Sequence, residues 1–454
     1  MKKGEVTAFL SLIFILLVTL AGGLMESASI QNAKNYRRAD VNRALESVFA
    51  EYQKELLEEY DIFALEATYE TGDYSEKQIE KRLAYFGAGN VQQEIQKIEF
   101  LTDNGAGAFY EQVSYYMEQK YGLGALKEKE AAADLWKKQE EDSGEYEKKE
   151  TDGWGELNGL LEEENAKLPE ENNPISHVGK LKKASLLDLI MPEGKQVSEK
   201  SLDSGESLTK RKKNKGYGDF SEEQKGGKAA SGLLFAEYLL EHFSSVADEP
   251  AGGALDYELE YICAGKGSDR ENLEAVAKKL LLFRFGVNYL FLKSSASKQA
   301  EAEALALTLC SAAAIPALAG AAGEVILLAW AYGESVVDLR TLLKGQKTAA
   351  VKSEESWQLS LAGLMKLQEN SSVNDGKNCA GGISYRDYLR ILLFLEKKEK
   401  VSLRALDMIE QNLRKVHGFD FFRADYCVSK IQINSKCRLR RGVTYRFLTY
   451  YGYQ

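Results

Sequence analysis

Proline is scarce in this chain, with five in 454 residues, and histidine occurs only three times. So few prolines leave long stretches able to propagate as helix, since proline removes a backbone donor and clashes with the preceding turn. His177, His242 and His417 are scattered, and neither H-E-x-x-H nor a paired-cysteine spacing accompanies them, so no metal is expected. The five cysteines are too few and too irregular for a disulfide scaffold, and their odd number leaves at least one unpaired within the chain. Positive charge is not in excess: Lys and Arg total 59 against 69 Asp and Glu, a net charge of −10, which argues against a nucleic-acid partner. There is no G-x-S-x-G elbow. The glycine pieces Ala264-Gly-Lys-Gly267 and Lys344-Gly-Gln-Lys347 lack phosphate-loop spacing and read as turns. No catalytic residue, cofactor or small-molecule substrate is therefore assigned, and the chain is expected not to be an enzyme.

What is present begins at the N-terminus. Val6 to Met25 is an uncharged apolar run, and about twenty helical residues at 1.5 Å each match the roughly 30 Å hydrocarbon core of a bilayer. Lys2 and Lys3 precede the run and Glu26 follows it, which predicts a cytoplasmic N-terminus, a single crossing and an extracellular body. A cleaved signal peptide is a second reading, with Ser27 to Ser29 as the small-residue site. A pilin-type leader ending at Gly4 is a third; there the glutamate expected five residues after the cut is replaced by Phe9, and Glu5 stands directly after the glycine. Ala21-Gly22-Gly23 offers a small-residue surface for a neighbouring membrane helix, and Glu26 reads as a simple interfacial charge, with pairing to a partner's cation or a pilin amino terminus as the alternative.

Beyond the anchor (1–25), the fold is expected to be mostly α with a small β component. A stalk helix and small α+β module occupy 26–121: Val41, Leu45, Val48, Phe49, Tyr52, Leu56, Tyr60 and Phe63 form one helical stripe, and Val91 to Leu101 reads as a strand. Residues 122–228 are dense in Lys, Glu, Gly and Ser and are expected to be a charged, largely mobile linker, apart from the apolar island Leu186–Ile190. A helical domain follows over 229–420, where Ser268-Asp-Arg-Glu271 and Ser384-Tyr-Arg-Asp387 read as capping boxes. Within it, Ala304 to Gly323 carries no charge and offers a second crossing as the alternative to closely packed buried helices. The chain closes over 421–454 with two β-rich runs around Arg441-Gly442, a terminal β-hairpin that is placed to pair with the strand near Ile95. Cys427 and Cys437 flank its first strand, and a disulfide between them is one reading if the region is extracellular.

The opening KGEVTAFLSLIFILLVTLAGGLMESASIQNAK, together with LLEEYDIFAL, resembles the Tad-like envelope proteins of tight-adherence (Flp) pilus systems. YELEYICAGKGSDRENLEAVAKKLLLFRFGVNYLFL, LAWAYGESVVDLRTLLKGQKTAAVKS and SYRDYLRILLFLEKKEKVSLRALDMIEQN resemble a Gram-positive Tad-associated family with a long C-terminal region. The resemblance implies a membrane-anchored structural or assembly component whose partners are the membrane and pilus or secretion-system proteins, and it brings no catalytic residues. The alternative is a membrane-tethered extracellular enzyme or wall-binding protein.

Overall fold

The computed structural model describes residues 3–122, 127–203, 205–220, 230–250, 252–367 and 376–453. Lys2 of the basic start and the expected boundary at 228/229 lie outside the described residues. The chain forms two compact units. Unit 1 comprises Met1–Tyr115, Lys212–Lys225 and His417–Gln454; unit 2 comprises Tyr116–Arg211 and Gly226–Val416.

Unit 1 is built on α1 (Lys3–Phe49), a single helix of 47 residues. Its first half is the apolar run and lies exposed, whereas Val41, Ala44, Leu45, Val48 and Phe49 are buried. The helix does not continue along the predicted stripe to Phe63. It ends at Phe49, and the Gln53 N–H donates to the Ala64 carbonyl at 3.0 Å, a bond that requires the chain to fold back. The short α2 (Lys54–Tyr60), β1 (Leu65–Glu66) and α3 (Glu76–Leu83) then lead into β2 (Gln92–Phe100) and α4 (Asp103–Tyr121). From the far end of the sequence come β3 (Cys427–Arg438) and β4 (Thr444–Gly452), the terminal hairpin.

β3 is the central strand of an antiparallel sheet. Ile433 pairs with Ile95 on one side and Thr449 on the other, and Val428 pairs with Phe100 and Leu65, so β2 holds one edge while β1 and β4 share the opposite one. Alternation puts Ile95, Ile98, Ile431, Ile433 and Phe447 on the face that closes over the buried stripe of α1. The pairing of the hairpin with the strand near Ile95 is thus present, and it joins the two sequence ends of the unit.

Unit 2 is helical. It contains α5 (Lys127–Glu163), α6 (Pro174–Leu181), α7 (Leu186–Ile190), α8 (Ala230–His242), α9 (Glu258–Ala264), α10 (Asp269–Ser294), α11 (Ala296–Ala312), α12 (Ala319–Leu343), α13 (Leu361–Leu364), α14 (Tyr385–Leu395) and α15 (Lys398–Lys415). In the charged segment 122–228, expected to be a linker, the described residues include the long helix α5. It packs on α10 and α12: the Tyr146 and Tyr289 rings lie 5.6 Å apart, Leu157 is buried, and a side chain at Gly153 would meet Leu328. Composition hid the reason. Trp136, Tyr146, Gly153 and Leu157 recur on one helical face among many charges, which suffices to dock the helix although most of its residues are polar.

The segment after α7 is held by polar contacts. Ser198 donates to Asp269 at 2.6 Å, Lys200 to Asp256 at 2.7 Å, and the Leu208 N–H to Asp407 at 3.0 Å.

Ala304 to Gly323 is not one helix. α11 ends at Ala312, Ala314 adopts a positive φ of 60°, and Pro316 precedes the start of α12. Among the described residues two helical stretches are long and apolar enough to cross a membrane, Gly4–Phe49 and Pro316–Leu343; the apolar part of the first is wholly exposed and that of the second is mostly buried. Gly323 lies close against Ala306, the tight packing that alanine and glycine permit. Of the two predicted caps, Ser384–Asp387 is a complete capping box. Ser268 accepts from the Glu271 N–H, but the Glu271 carboxylate takes the Gly267 N–H instead of closing the box.

Candidate functional site

The predicted site residues fall at two ends of unit 1. Gly4 and Glu5 lie in the first turn of α1, where a carboxylate is favoured by the N–H groups left unpaired at a helix start. Gly22 and Gly23 face open space, with no atom within 4 Å of where a Cβ would stand, so this side of the helix is unobstructed. Glu26, one turn beyond, is paired within its own unit: Arg441 in the β3–β4 turn reaches it at 2.7 Å.

That ion pair belongs to a longer arrangement. The hairpin lies along α1 from its tip at Glu26 to its base at Phe49. Lys34 stands 5.4 Å from the Tyr445 ring centre and Arg38 5.9 Å from that of Phe447. Phe49 meets the Tyr451 ring at 4.6 Å, and the Tyr453 hydroxyl donates to the Phe49 carbonyl. The geometry follows from the two rises: about 23 helical residues at 1.5 Å and about 12 strand residues at 3.3 Å span nearly the same length.

Cys427 and Cys437 are corrected. Both are free thiols, and they stand at opposite ends of the single strand β3. Ten steps of strand rise put them about 30 Å apart, far beyond the Cα separation a disulfide spans.

Sequence reading missed a buried charge network in unit 2. Arg284 on α10 donates from Nε to Asp338 on α12 at 2.9 Å, and from Nη1 to the Tyr388 hydroxyl at 3.0 Å and the Ala349 carbonyl at 2.8 Å. Asn288 Nδ2, one turn on, donates to Ser335 at 2.9 Å and to Asp338 at 3.0 Å. Lys352 joins Glu334 and Asp338, and the Leu359 N–H donates to Glu334 at 2.8 Å. Two cations face two carboxylates, so the charges balance. Burial pushes the Asp338 carboxyl upward, but the Arg284 and Lys352 charges outweigh it and hold the group below the usual range. At Glu334 burial wins over Lys352, and the carboxyl is raised. Arg284, Glu334 and Asp338 are fully buried and Lys352 is 6% exposed, so a substrate has no approach to them. What the network can do is fix α10, α12 and the chain from Thr348 to Leu359 in one register. The available signal was the i, i+4 pairs Arg284/Asn288 and Glu334/Asp338 inside locally apolar stretches of α10 and α12.

Unit 1 also contains a cavity of 160 Å³ between Gln53, Glu66, Glu70 and the turn Phe419–Phe422. It is small for an organic substrate. Its central carboxylate is also already engaged: Glu66 accepts from the Thr68 N–H at 3.0 Å, the Thr68 hydroxyl at 2.6 Å and the Glu70 N–H at 2.9 Å. Among the described residues there is no group of three or more His, Cys, Asp or Glu arranged to hold a metal ion. The most distinctive surface is therefore the exposed apolar half of α1 with the hairpin tip at its end.

Neither a curated protein nor a solved structure matches this chain. A family model does match, over residues 164–439, which covers most of unit 2 and the whole of β3 and is more than half of the sequence. The protein belongs to that family, a family of unknown function (DUF5702).

Proposed function

We propose that this protein is a single-pass, membrane-anchored structural or assembly component of a Tad-like pilus or secretion apparatus, acting through protein contacts outside the membrane. The observation that carries the reading is the continuity of α1: one 47-residue helix is exposed and apolar over Val6–Met25 and becomes a core element of unit 1 from Val41 onward. A helix that runs without a break from the apolar segment, past Ser27 to Ser29, into a folded core is suited to retention as an anchor. The lysines before the apolar run favour a cytoplasmic N-terminus and an extracellular body. The likeness of the opening and the central blocks to Tad-associated envelope proteins supplies the apparatus.

Topology is tested by placing cysteines at Glu162 and at Leu448, which is 53% exposed on β4, in a background without the native cysteines. Both should react with a membrane-impermeant thiol reagent in intact cells. If Leu448→Cys reacts only after permeabilisation, the body does not lie wholly outside and the reading fails. The assembly role is tested on the open glycine face. With Gly22 and Gly23 changed to leucine, the protein should still insert, but cross-linked complexes with neighbouring membrane helices should fall about tenfold, as close approach is lost. Unchanged complexes would show that this face is not used.

A further inference from the structure

After Asp425 the chain contains no acidic residue, while Lys430, Lys436, Arg438, Arg440, Arg441 and Arg446 are all basic, in a protein of net charge −10. The fold gathers most of this charge around one turn. Arg438 and Thr444 are the last paired residues of the hairpin, and Arg440 and Arg441 lie in the turn between its strands. Alternation along β3 and β4 puts Lys436, Arg438 and Arg446 on the sheet face away from α1, where they are exposed. Among the described residues Arg438, Arg440 and Arg446 form no ion pair, and Arg441 has only Glu26.

The Glu26 contact fixes the height of this turn. Glu26 immediately follows the apolar run, so Arg441 stands level with the point at which α1 leaves the hydrocarbon core. The headgroup layer on each side of a bilayer is roughly 5–8 Å thick. Arg440 and Arg441 fall inside it, and Arg438, about 10 Å along the strand, lies near its outer limit. At physiological salt the Debye length is about 8 Å, so all three guanidinium groups feel phosphate charge at that surface.

We infer that the β3–β4 turn is a membrane-surface contact in which Arg438, Arg440 and Arg441 bind the phosphates of anionic phospholipid headgroups in the same membrane that α1 crosses. A guanidinium presents two parallel donors to a phosphate, the chemistry that distinguishes this cluster from a merely cationic one. The contact gives the body a second foothold beside its anchor and sets the height at which unit 1 stands. The inference rests on α1 being a retained span.

The test uses the full-length protein reconstituted into vesicles of phosphatidylcholine alone or with phosphatidylglycerol added, read by amide hydrogen exchange. Peptides covering Lys436–Arg446 should exchange at least about fivefold more slowly in the anionic vesicles, as bound phosphates hold the turn closed. The slowing should vanish at high salt and in the triple variant Arg438→Gln, Arg440→Gln, Arg441→Gln, while peptides around Ile431 remain protected and report an intact sheet. Equal exchange in the two vesicles, or slowing that survives the triple variant, would overturn the contact. So would the same slowing produced by inorganic phosphate with neutral vesicles, since the turn would then be taking a free anion. Flotation separates the two readings: a chain that floats with both vesicle types but shows no exchange difference retains its anchor and lacks the contact. A chain that floats with neither lacks the anchor itself.

Discussion

Replacing Asp338 with alanine is expected to destabilise unit 2 by about 3–5 kcal/mol, the cost of stranding buried charge when one member of an enclosed ion network is removed. In the Asp338→Ala variant, Arg284 and Lys352 would face Glu334 alone, and Asn288 Nδ2 would lose one of its two acceptors. The readout is convenient. All four tryptophans, Trp136, Trp154, Trp330 and Trp357, lie in unit 2, so urea unfolding followed by intrinsic fluorescence reports on that unit without a signal from the other. A second variant separates charge from packing. Arg284→Met combined with Asp338→Leu leaves Lys352 and Glu334 as a balanced pair, and it should recover part of the loss. If Asp338→Ala shifts stability by less than about 1 kcal/mol, the network is not sealed from water as its burial implies. The sign with pH follows from the depressed Asp338 carboxyl. Its stabilisation is present above the unfolded carboxylate range and disappears as pH falls through its lower folded value, and the alanine variant should lack that acid-side loss.

Glu260 has the opposite sign. It is fully buried on α9, and its Oε1 accepts from the Tyr385 hydroxyl at 2.7 Å and the Val246 N–H at 3.1 Å, while Oε2 has no partner among the described residues. Burial pushes the carboxyl up to about 7. An unfolded glutamate releases its proton near 4.3, so between roughly pH 4.5 and 7 the unfolded chain has lost a proton that the folded chain retains. Stability therefore falls as pH rises through that window, by about 1.4 kcal/mol per unit and about 3 kcal/mol in all. Glu260→Gln keeps an acceptor for both donors and cannot ionise. Whatever constant offset the amide introduces, the stability of Glu260→Gln relative to wild type should rise by about 3 kcal/mol between pH 5 and pH 8. A gap that stays the same at both pH values would mean that Glu260 is ionised throughout.

Local patterns foretold the elements better than the contacts between them. The uncharged run Val6–Met25, the first half of the stripe Val41–Phe63 and the β-branched runs about Arg441 each carry their structure in short-range periodicity, and α1, β3 and β4 form over them, although α1 stops at Phe49, short of the end of the stripe. The docking of α5 was hidden because a few apolar residues on one of its faces are diluted by charge when averaged along the chain. The network around Asp338 left only the i, i+4 spacing of Arg284/Asn288 and Glu334/Asp338 as a trace in the sequence. Arg284, Glu334, Asp338 and Lys352 look singly like solvated charges, and only the packing of α10 on α12 shows that their heads point inward at one another. The pairing of Cys427 with Cys437 failed for a related reason: spacing in sequence gives no distance until the strand between them is known to be extended. Open glycines on α1 and a basic turn at Glu26 were both present in the sequence, but only the second depended on a register that brings residue 441 beside residue 26.

Because α1 has no break between its exposed apolar half and the stripe buried beneath the sheet, the apolar half behaves as an axle fixed to unit 1. Each helical residue turns the direction of a side chain by about 100°. In the proposed membrane-anchored protein the compass bearing of Gly22 and Gly23 in the membrane plane is thereby locked to the bearing of the β-sheet, so a neighbour that grips the glycine face also decides which way the sheet looks.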